Sequence, residues 1–190
     1  MGKINLTDLD SRNVKTRGGY LQGYNAQAAV TAGQVVIAAE ISVNSPDFGL
    51  LGPVMDAALR ELTAVGVTDT PGVLVADAGY WHQVQMQQIV EYGTQVLIPP
   101  DAGNRKDARP GWNGGLYAFM RRVLDTQLGG DLYRKRKGMI EPVFANTKFN
   151  RGIDRFLRRG RSAVRSEWRL ITATHNLLKL HTHQLAIAAA

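Results

Sequence analysis

The sequence predicts an α/β protein in which a mixed sheet, made of an antiparallel hairpin and parallel strands, is followed by a helical C-terminal part. Three patterns support this class. Two apolar segments flank a short turn between residues 24 and 43, a strand–helix–strand unit occupies residues 73–98, and apolar residues recur at helical spacing from Leu116 onward. With 190 residues, 44% of them hydrophobic, the chain is long enough to bury a core of its own.

The first elements are predicted to form the hairpin. Residues 1–19 are polar and are expected to form an N-terminal arm, with residues 20–190 as the globular domain. Residues 24–30 alternate between apolar or small and polar side chains, and residues 35–43 are mostly apolar, so both are expected to be strands. Because Ala32-Gly33 leaves only a short connection, the two strands are expected to pair antiparallel.

The next elements are predicted to be a helix and a parallel strand pair. A helix is expected over residues 51–65, with its N-cap within residues 44–47 and Gly66 after its end. Residues 73–76 and 95–98 are expected to be buried strands that flank a helix over residues 81–92. A connection of this length joins parallel strands by a right-handed crossover.

The last part of the chain is predicted to be helical after a loop. Residues 101–115 contain four glycines and a proline and are expected to form a flexible loop. The helical pattern from Leu116 is expected to break at Gly129-Gly130 and at Gly160. Any helix that contains Glu141 is expected to have Pro142 in its first turn, where a missing N–H costs little.

Positive charge is concentrated in the second half of the chain. Residues 1–100 carry a net charge of −4 and residues 101–190 a net charge of +11, mostly in a run at 134–137 and in seven arginines between 151 and 169. Because the arginine fork suits phosphate, this asymmetry favours a polyanion partner over a merely solvated face. A basic membrane-surface helix is the weaker alternative, because Trp168, Ile171 and Leu178 are expected to face the core.

Several classes of protein are excluded or disfavoured. The chain has no cysteine, so it has no disulfide framework and no thiolate metal site, and it contains no phosphate-binding glycine motif. It also has no apolar run of the roughly 20 residues that span a bilayer and no apolar signal core at its N-terminus, which favours a cytoplasmic protein. His175, His181 and His183 lack a further ligand at zinc spacing.

Two carboxylates are the candidates for chemistry. Asp77 follows a buried strand, and ligand sites in open α/β sheets collect at that end of the strands; the alternative is a turn or helix N-cap. Glu141 lies among basic residues, and in a helix it shares a face with Lys137 and Lys148; the alternative is a solvated ion pair. Carboxylates from a strand end and a helix can together hold two Mg²⁺ or Mn²⁺ ions for phosphodiester chemistry on DNA.

Four segments in this order resemble the DDE transposases of bacterial insertion sequences. They are residues 23–30 (GYNAQAAV), residues 76–80 (ADAGY), residues 133–148 (YRKRKGMIEPVFANTK), and the pair EWRL at 167–170 with THNLLKL at 174–180. The resemblance covers essentially residues 4–182. It implies an RNase H-like fold, a soluble bacterial protein associated with the nucleoid, and three acids that bind two divalent metals for DNA cleavage and strand transfer.

The resemblance also assigns residues. Asp77 matches the second acid and Glu141 the third, as metal ligands. The family pattern of Tyr, Arg, Glu and Lys fits Tyr133, Arg136, Glu141 and Lys148, except that four residues instead of three separate Arg136 from Glu141, so that Lys137 is the alternative base. The positions expected to bind DNA are Tyr133, Arg136, Lys137, Lys148, Arg155, Arg158 and Arg159.

The first acid of the family has no obvious counterpart in this sequence. It normally lies on the first strand in an Asp-Gly-Thr or Asp-Ser-Thr motif, and no such motif occurs here. The chain is therefore expected to be an N-terminally truncated transposase without that strand, with Asp8 and Asp10 as weaker substitutes. The alternatives are a non-catalytic, basic DNA-binding remnant of a transposase and, less favoured, an RNase H-like nuclease unrelated to mobile elements. Homodimerisation in a transposition complex is also expected.

Overall fold

The structure, a computed structural model, describes residues 5–16, 18–101 and 110–188. Most of the loop predicted at 101–115, and the first four residues of the predicted arm, therefore lie outside the described residues. The chain divides into two compact units, unit 1 from Met1–Pro46 with Met139–Ala190 and unit 2 from Asp47–Gly138. The predicted boundary between an arm and a domain at residue 19 stays a prediction.

The described residues form six strands and five α-helices, with one 3₁₀ turn at Ala78–Tyr80 and one π-helical turn at Asn146–Asn150. The elements in chain order are β1 (Arg12–Thr16), β2 (Gly19–Gly23), β3 (Asn25–Val30), β4 (Val36–Ser42), α1 (Leu51–Ala64), β5 (Val73–Val75), α2 (Gln83–Glu91), β6 (Gln95–Leu97), α3 (Gly115–Asp125), α4 (Gln127–Ala145) and α5 (Arg161–Ala188).

Unit 1 is built on the predicted hairpin. β3 and β4 pair antiparallel from Asn25↔Ser42 onward, which confirms that prediction. Helix α5 packs on β4, and Val36, Ile41, Val143 and Trp168 belong to the buried core between them. The Trp168 ring also donates from Nε1 to the Gln27 carbonyl oxygen at 2.8 Å, which fixes the helix on the hairpin.

The segment predicted as an N-terminal arm contains a strand that was not predicted. β1 pairs with β2 as a second antiparallel hairpin, in which Arg12 lies opposite Gly23 and Thr16 opposite Gly19. The strand was missed because its sequence, RNVKT, has one apolar residue and no alternation to reveal a buried face. Backbone pairing across the turn, and not burial, defines this strand.

Unit 2 contains the parallel strand pair. β5 and β6 pair parallel from Val73↔Gln95 to Val75↔Leu97, and α2 joins them, as predicted. Its core includes Met55, Trp81 and Ile98. Helix α1 ends before Gly66, which adopts a positive φ of 81°, as its predicted role after the helix requires. The N-cap predicted within residues 44–47 is wrong, because Leu50 holds that position and offers no side-chain cap.

The helix breaks differ from the prediction. Gly129-Gly130 lies inside α4, and the break falls at Thr126, whose extended backbone separates α3 from α4 and whose hydroxyl accepts from the Gly129 N–H. A Cβ at Gly129 would lie 2.0 Å from the Val123 carbonyl oxygen, so this glycine serves a close backbone approach and not a helix end. Pro142 lies in the last turn of α4 and not in the first turn.

Helix α5 is only partly buried. Trp168 and Ile171 face the core as predicted, but the prediction for Leu178 is wrong, because that side chain is 51% exposed. His175 is the last buried residue of the helix, which continues to Ala188. No helix in the described ranges is long and apolar enough to cross a membrane.

Candidate functional site

Asp77 stands directly after β5, at the carboxyl end of the parallel pair. Its Oδ1 accepts from the Gly79 N–H at 2.9 Å, so the carboxylate caps the 3₁₀ turn Ala78–Tyr80. Its side chain is 45% exposed. The capping geometry foreseen as the alternative is therefore present, and it leaves Oδ2 available to other partners.

A second carboxylate, which the sequence analysis did not single out, lies beside the same turn. A Cβ built on Gly79 would lie 3.0 Å from Asp77 Oδ1 and 3.3 Å from Asp47 Oδ2. Two carboxylates thus lie close to Gly79, and a side chain at this position would require them to shift by a few tenths of an ångström. Asp47 lies 30 residues before Asp77 in a loop, and nothing in its local sequence distinguishes it from an ordinary turn aspartate.

Helix α4 places a positively charged side chain, that of Arg136, beside Asp77. The Arg136 guanidinium Nη1 lies 4.0 Å from Asp77 Oδ2, and the Arg136 side chain is only 18% exposed. The guanidinium carbon also lies 5.6 Å from the centre of the Tyr133 ring, one turn earlier on the helix, which is cation–π distance. Lys137 is exposed. Of the two bases that fit the family pattern, Arg136 is the one in contact with the carboxylate.

An open cavity of about 510 Å³ adjoins the turn that Asp77 caps. Ala78 and Gly79 form part of its wall, and Trp112 and Tyr117 contribute rings stacked at 4.4 Å. This wall is therefore largely aromatic beside a carboxylate that is half exposed.

Glu141 and Lys148 belong to unit 1 and are both exposed. Lys148 lies in the π-helical turn Asn146–Asn150, so the α-helical spacing that was expected to put it on the face of Glu141 does not continue to it. Asp77 lies in unit 2, and the convergence of the two predicted metal ligands stays a prediction.

Three of the four arginines predicted to bind DNA lie between the π-helical turn and α5, and all three are exposed: Arg155, Arg158 and Arg159. The Glu167 carboxylate accepts from the N–H groups of Leu157 and Arg158 at 2.9 Å, which orders this loop. Other arginines of the same run have structural partners. Arg169 pairs with Glu40 at 2.6 Å, and Arg151 donates to the Ile171 carbonyl oxygen at 2.9 Å.

Asp8 and Asp10, the substitutes considered for the first acid, are engaged at the N-terminus of α5. Asp8 Oδ1 accepts from the Gly160 N–H at 3.2 Å, and Asp10 Oδ2 accepts from the Arg161 N–H at 2.9 Å. The Tyr24 hydroxyl donates to Asp8 at 2.7 Å. Both carboxylates therefore satisfy N–H groups that a helix leaves unpaired and interact favourably with its dipole.

The pKa values of Asp8 and Tyr24 reflect this contact. Burial alone raises the pKa of Asp8, but hydrogen bonds from Tyr24 and from the Gly160 N–H outweigh it and lower that pKa below 3.8. Burial and the neighbouring carboxylate raise the pKa of Tyr24 well above its ordinary value. The folded state therefore favours the charged aspartate and the neutral tyrosine.

The lowered pKa predicts a pH-dependent contribution of Asp8 to stability. The contribution is complete above pH 3.8, the ordinary value, and is lost as the pH falls from there through the folded-state pKa. At neutral pH, Asp8→Asn should lower the free energy of unfolding by about 1 kcal/mol, as other cap substitutions do. Urea unfolding of both proteins at a series of pH values measures the difference, which should shrink in acid. Asp69→Asn, at an exposed position, is the control; a difference that persists in acid would contradict the charge argument.

The donor chemistry fits a hard divalent cation only in part. Asp77 and Glu141 offer the carboxylate oxygens that Mg²⁺ and Mn²⁺ prefer. Within the part of the chain that the structure describes, however, no three His, Cys, Asp or Glu side chains cluster so that they could hold an ion. The assignment of Asp77 and Glu141 as two of the three expected acids therefore stays a prediction.

The comparisons with known proteins identify the class. A family model described as Transposase DDE domain matches residues 2–177. The chain belongs to this family of DDE transposases, and its mixed α/β structure of small antiparallel and parallel sheets is compatible with the RNase H-like fold. No curated protein and no solved structure matches the chain.

The match confirms the resemblance of the four sequence segments to DDE transposases, and the assignment to a bacterial insertion sequence stays a prediction. The family implies a transposase function and DNA as the partner. The contacts of Arg136, the proximity of Asp47 and the engagement of Asp8 and Asp10 were not foreseen. The family pattern had already pointed to Arg136. The positions of Asp47, Asp8 and Asp10 had no such signal, because they depend on contacts between residues up to about 150 positions apart.

Proposed function

We propose that this chain carries the second and third acids of a metal-dependent centre for DNA cleavage and strand transfer, used in the transposition of a bacterial insertion sequence. The observation that supports this most strongly is the position of Asp77. It is a half-exposed carboxylate at the carboxyl end of a parallel strand pair, within 4.0 Å of Arg136, in a chain that belongs to the transposase family.

In this proposal, Asp77 and Glu141 hold Mg²⁺ or Mn²⁺. The bound ions would activate a water or a 3′-hydroxyl and stabilise the leaving oxygen of the phosphodiester. The Gly79 N–H donates to Asp77 Oδ1 and so keeps the carboxylate oriented. Because Gly79 has no side chain, it leaves room for an ion beside Asp77. Arg136 neutralises Asp77 in the absence of a cation, which lessens the repulsion between the carboxylate and the DNA backbone.

The DNA would be held by the basic residues around these acids. Arg136 is the better candidate for the arginine of the family pattern than Lys137, because its guanidinium lies 4.0 Å from Asp77. The arginine fork also suits a phosphate oxygen. Tyr133 orients this arginine, and Lys137, Lys148, Arg155, Arg158 and Arg159 would contact the backbone from exposed positions.

Metal binding is the direct test of the site. Asp77→Asn keeps the shape of the side chain but removes its charge, so it separates a metal ligand from a turn cap. Asp77→Asn and Glu141→Gln are each expected to weaken Mn²⁺ binding by about tenfold or more, since each removes an ionic ligand. Isothermal titration calorimetry of the wild type and the two variants measures this affinity.

Asp69→Asn is the matched control, because it removes a carboxylate from an exposed loop position and should leave the affinity unchanged. If Asp77 serves only as a cap, Asp77→Asn would destabilise the fold by about 1 kcal/mol or less without changing the metal affinity. Equal affinities in all four proteins would reject the proposed site.

A second function is favoured by a specific observation. Asp8 and Asp10 cap α5, so neither is positioned to act as the first acid, and the family's Asp-Gly-Thr or Asp-Ser-Thr motif is absent from the sequence. We therefore also propose that these 190 residues bind DNA through their basic residues without cutting it, in competition with an active transposase. In either role it would act on chromosomal DNA in the bacterial cytoplasm, as a homodimer in the transposition complex.

A further inference from the structure

The loop that precedes α5 exposes a leucine among arginines. Leu157 is 81% exposed, and the exposed residues Arg155, Arg158 and Arg159 lie within two positions of it. We call residues 152–160 the arginine loop. Because consecutive Cα atoms are 3.8 Å apart, the Cα atoms of all three arginines lie within about 7 Å of the leucine Cα. A surface that attracts phosphate therefore also presents an apolar side chain.

The backbone of the arginine loop is tied to unit 1 at the leucine itself. The Glu167 carboxylate accepts from the Leu157 N–H at 2.9 Å and from the Arg158 N–H at 2.9 Å. The preceding residue, Phe156, packs against the core of unit 1, with its ring 6.2 Å from that of Trp168 in an edge-on arrangement. The contacts fix the backbone of Leu157 while its side chain stays exposed, so a partner that accepts this side chain has little loop ordering to oppose it.

The three arginines of this loop differ from the arginines of α5 in their partners. On the helix, Arg165 lies 3.3 Å and Arg169 2.6 Å from the oxygens of Glu40, so both contribute to the fold of unit 1. Among the residues that the structure describes, no carboxylate forms an ion pair with an arginine of the arginine loop. The guanidinium groups beside Leu157 are therefore available to an anionic partner.

We propose that Leu157 inserts between neighbouring base pairs of duplex DNA from the minor groove and bends the duplex, while the three arginines bind the phosphates around it. Apolar side chains that enter a base step in this way kink DNA by about 20–90° toward the major groove. The inference rests on the DNA-binding role proposed above, and it adds to that role a distortion of the duplex that phosphate contacts alone do not produce.

The arrangement of charge and apolar area favours DNA over other partners. Arg155 precedes the leucine and the other two arginines follow it, and the minor groove, about 6 Å wide, likewise has phosphates on both of its rims. A stable protein interface buries about 800 Å² on each partner, which is far more than one leucine supplies. A basic membrane-surface segment needs a broad apolar face beside its cations, and in the arginine loop the exposed apolar side chain is a single one.

Insertion of a side chain depends on how easily the base step opens. Pyrimidine–purine steps such as TA are readily unstacked, whereas A-tracts are stiff. The bend is therefore expected to be larger in a duplex with a central TA step than in one with a central A-tract. The arginines bind phosphates of any sequence, so the affinity changes much less than the bend.

Energy transfer between dyes at the two ends of a short TA duplex measures the bend, and 2-aminopurine placed in the step of a second duplex reports unstacking. The full chain in EDTA should raise both signals. Leu157→Ala should abolish both increases, leave the salt slope unchanged and weaken low-salt binding by less than about tenfold, because the phosphate contacts remain.

Two further variants serve as controls. Leu157→Met keeps an apolar side chain that can enter a base step, so it should retain both signals. Leu128→Ala makes the alanine change at a leucine of α4 that is also exposed, 71% against 81%, and it should behave as the wild type. Circular dichroism verifies that all variants fold.

The outcomes separate this proposal from the DNA-binding role on which it rests. A wild type that binds DNA with a steep salt dependence but leaves both signals unchanged, or a Leu157→Ala protein that bends DNA as the wild type does, would overturn the insertion of Leu157 and leave the phosphate-binding surface in place. Binding without salt dependence would overturn both. Unbent DNA, together with binding to phosphatidylglycerol vesicles that Leu157→Ala abolishes, would assign the loop to a membrane surface and overturn the insertion.

Discussion

Supercoiled plasmid DNA is expected to remain uncut when it is incubated with the 190-residue chain and Mn²⁺. Two-metal phosphoryl transfer needs carboxylates that flank both ions, and Asp77 with Glu141 leaves such a centre short of ligands and of negative charge. Asp8 and Asp10 do not make up the deficit, because each accepts hydrogen bonds at the start of α5. The effect on cleavage is expected to be all or none: the two acids can still bind an ion, but the reaction needs a carboxylate that holds both ions together.

The assay compares the chain with the same chain extended by a strand that carries an Asp-Gly-Thr motif. We expect nicking and strand transfer only with the extended protein, and not when its added aspartate is replaced by Asn. Asp8→Asn, Asp10→Asn and Asp47→Asn are made in the unextended chain. If the unextended chain cuts DNA and one of these substitutions abolishes the cutting, the expectation is wrong and the substituted residue is the third acid. Asp47 is included because it lies beside the turn that Asp77 caps.

The protein is expected to lose most of its affinity for duplex DNA when Arg155, Arg158 and Arg159 are all changed to Glu. These arginines are exposed on a loop whose backbone Glu167 orders. Each phosphate contact contributes about one unit to the slope of log affinity against log salt, so the slope should become shallower by about three. At low salt the affinity should fall by about two to three orders of magnitude, and equally for unrelated sequences.

Fluorescence anisotropy with duplexes of several sequences, at salt concentrations from low to physiological, measures both quantities. The single variants Arg158→Glu and Arg60→Glu form the matched comparison, because both arginines are exposed and both changes remove the same net charge. Arg158→Glu should weaken binding clearly, and Arg60→Glu only slightly. Wild-type binding that does not respond to salt, or equal losses in the two single variants, would contradict a phosphate-binding surface at the loop.

The sequence predicted the elements whose apolar residues recur at the spacing of a helix or a strand. The β3–β4 hairpin, the β5–α2–β6 unit and helix α1 all have apolar patterns that match their observed elements. The sequence was less informative where backbone pairing or close backbone packing, and not apolar burial, determines the local structure. β1 is held by pairing and not by apolar residues, and Gly129 was read as a helix break although it allows close packing against the Val123 carbonyl oxygen.

In the candidate site, too, some residues could be predicted from the sequence and others could not. Asp77 was found from its place at the end of a strand, and the family pattern pointed to Arg136. The contact between these two side chains joins residues 59 positions apart, and the roles of Asp8 and Asp10 at the start of α5 depend on contacts across about 150 residues. Such contacts leave no local pattern, because any surface aspartate can cap a helix that happens to approach it. Leu178 shows the converse, since its helical spacing suggested a core position although its side chain is 51% exposed.

The interruption of unit 1 by unit 2 dictates an order of events during synthesis. Residues 47–138 are continuous in sequence, so unit 2 can fold as soon as it leaves the ribosome. The β3–β4 hairpin emerges earlier but must wait for Trp168, which bonds to a carbonyl 141 positions before it. At about 5–20 residues per second that wait lasts roughly 7 to 28 seconds. During it, the apolar face of the hairpin is open to chaperones and to other nascent chains.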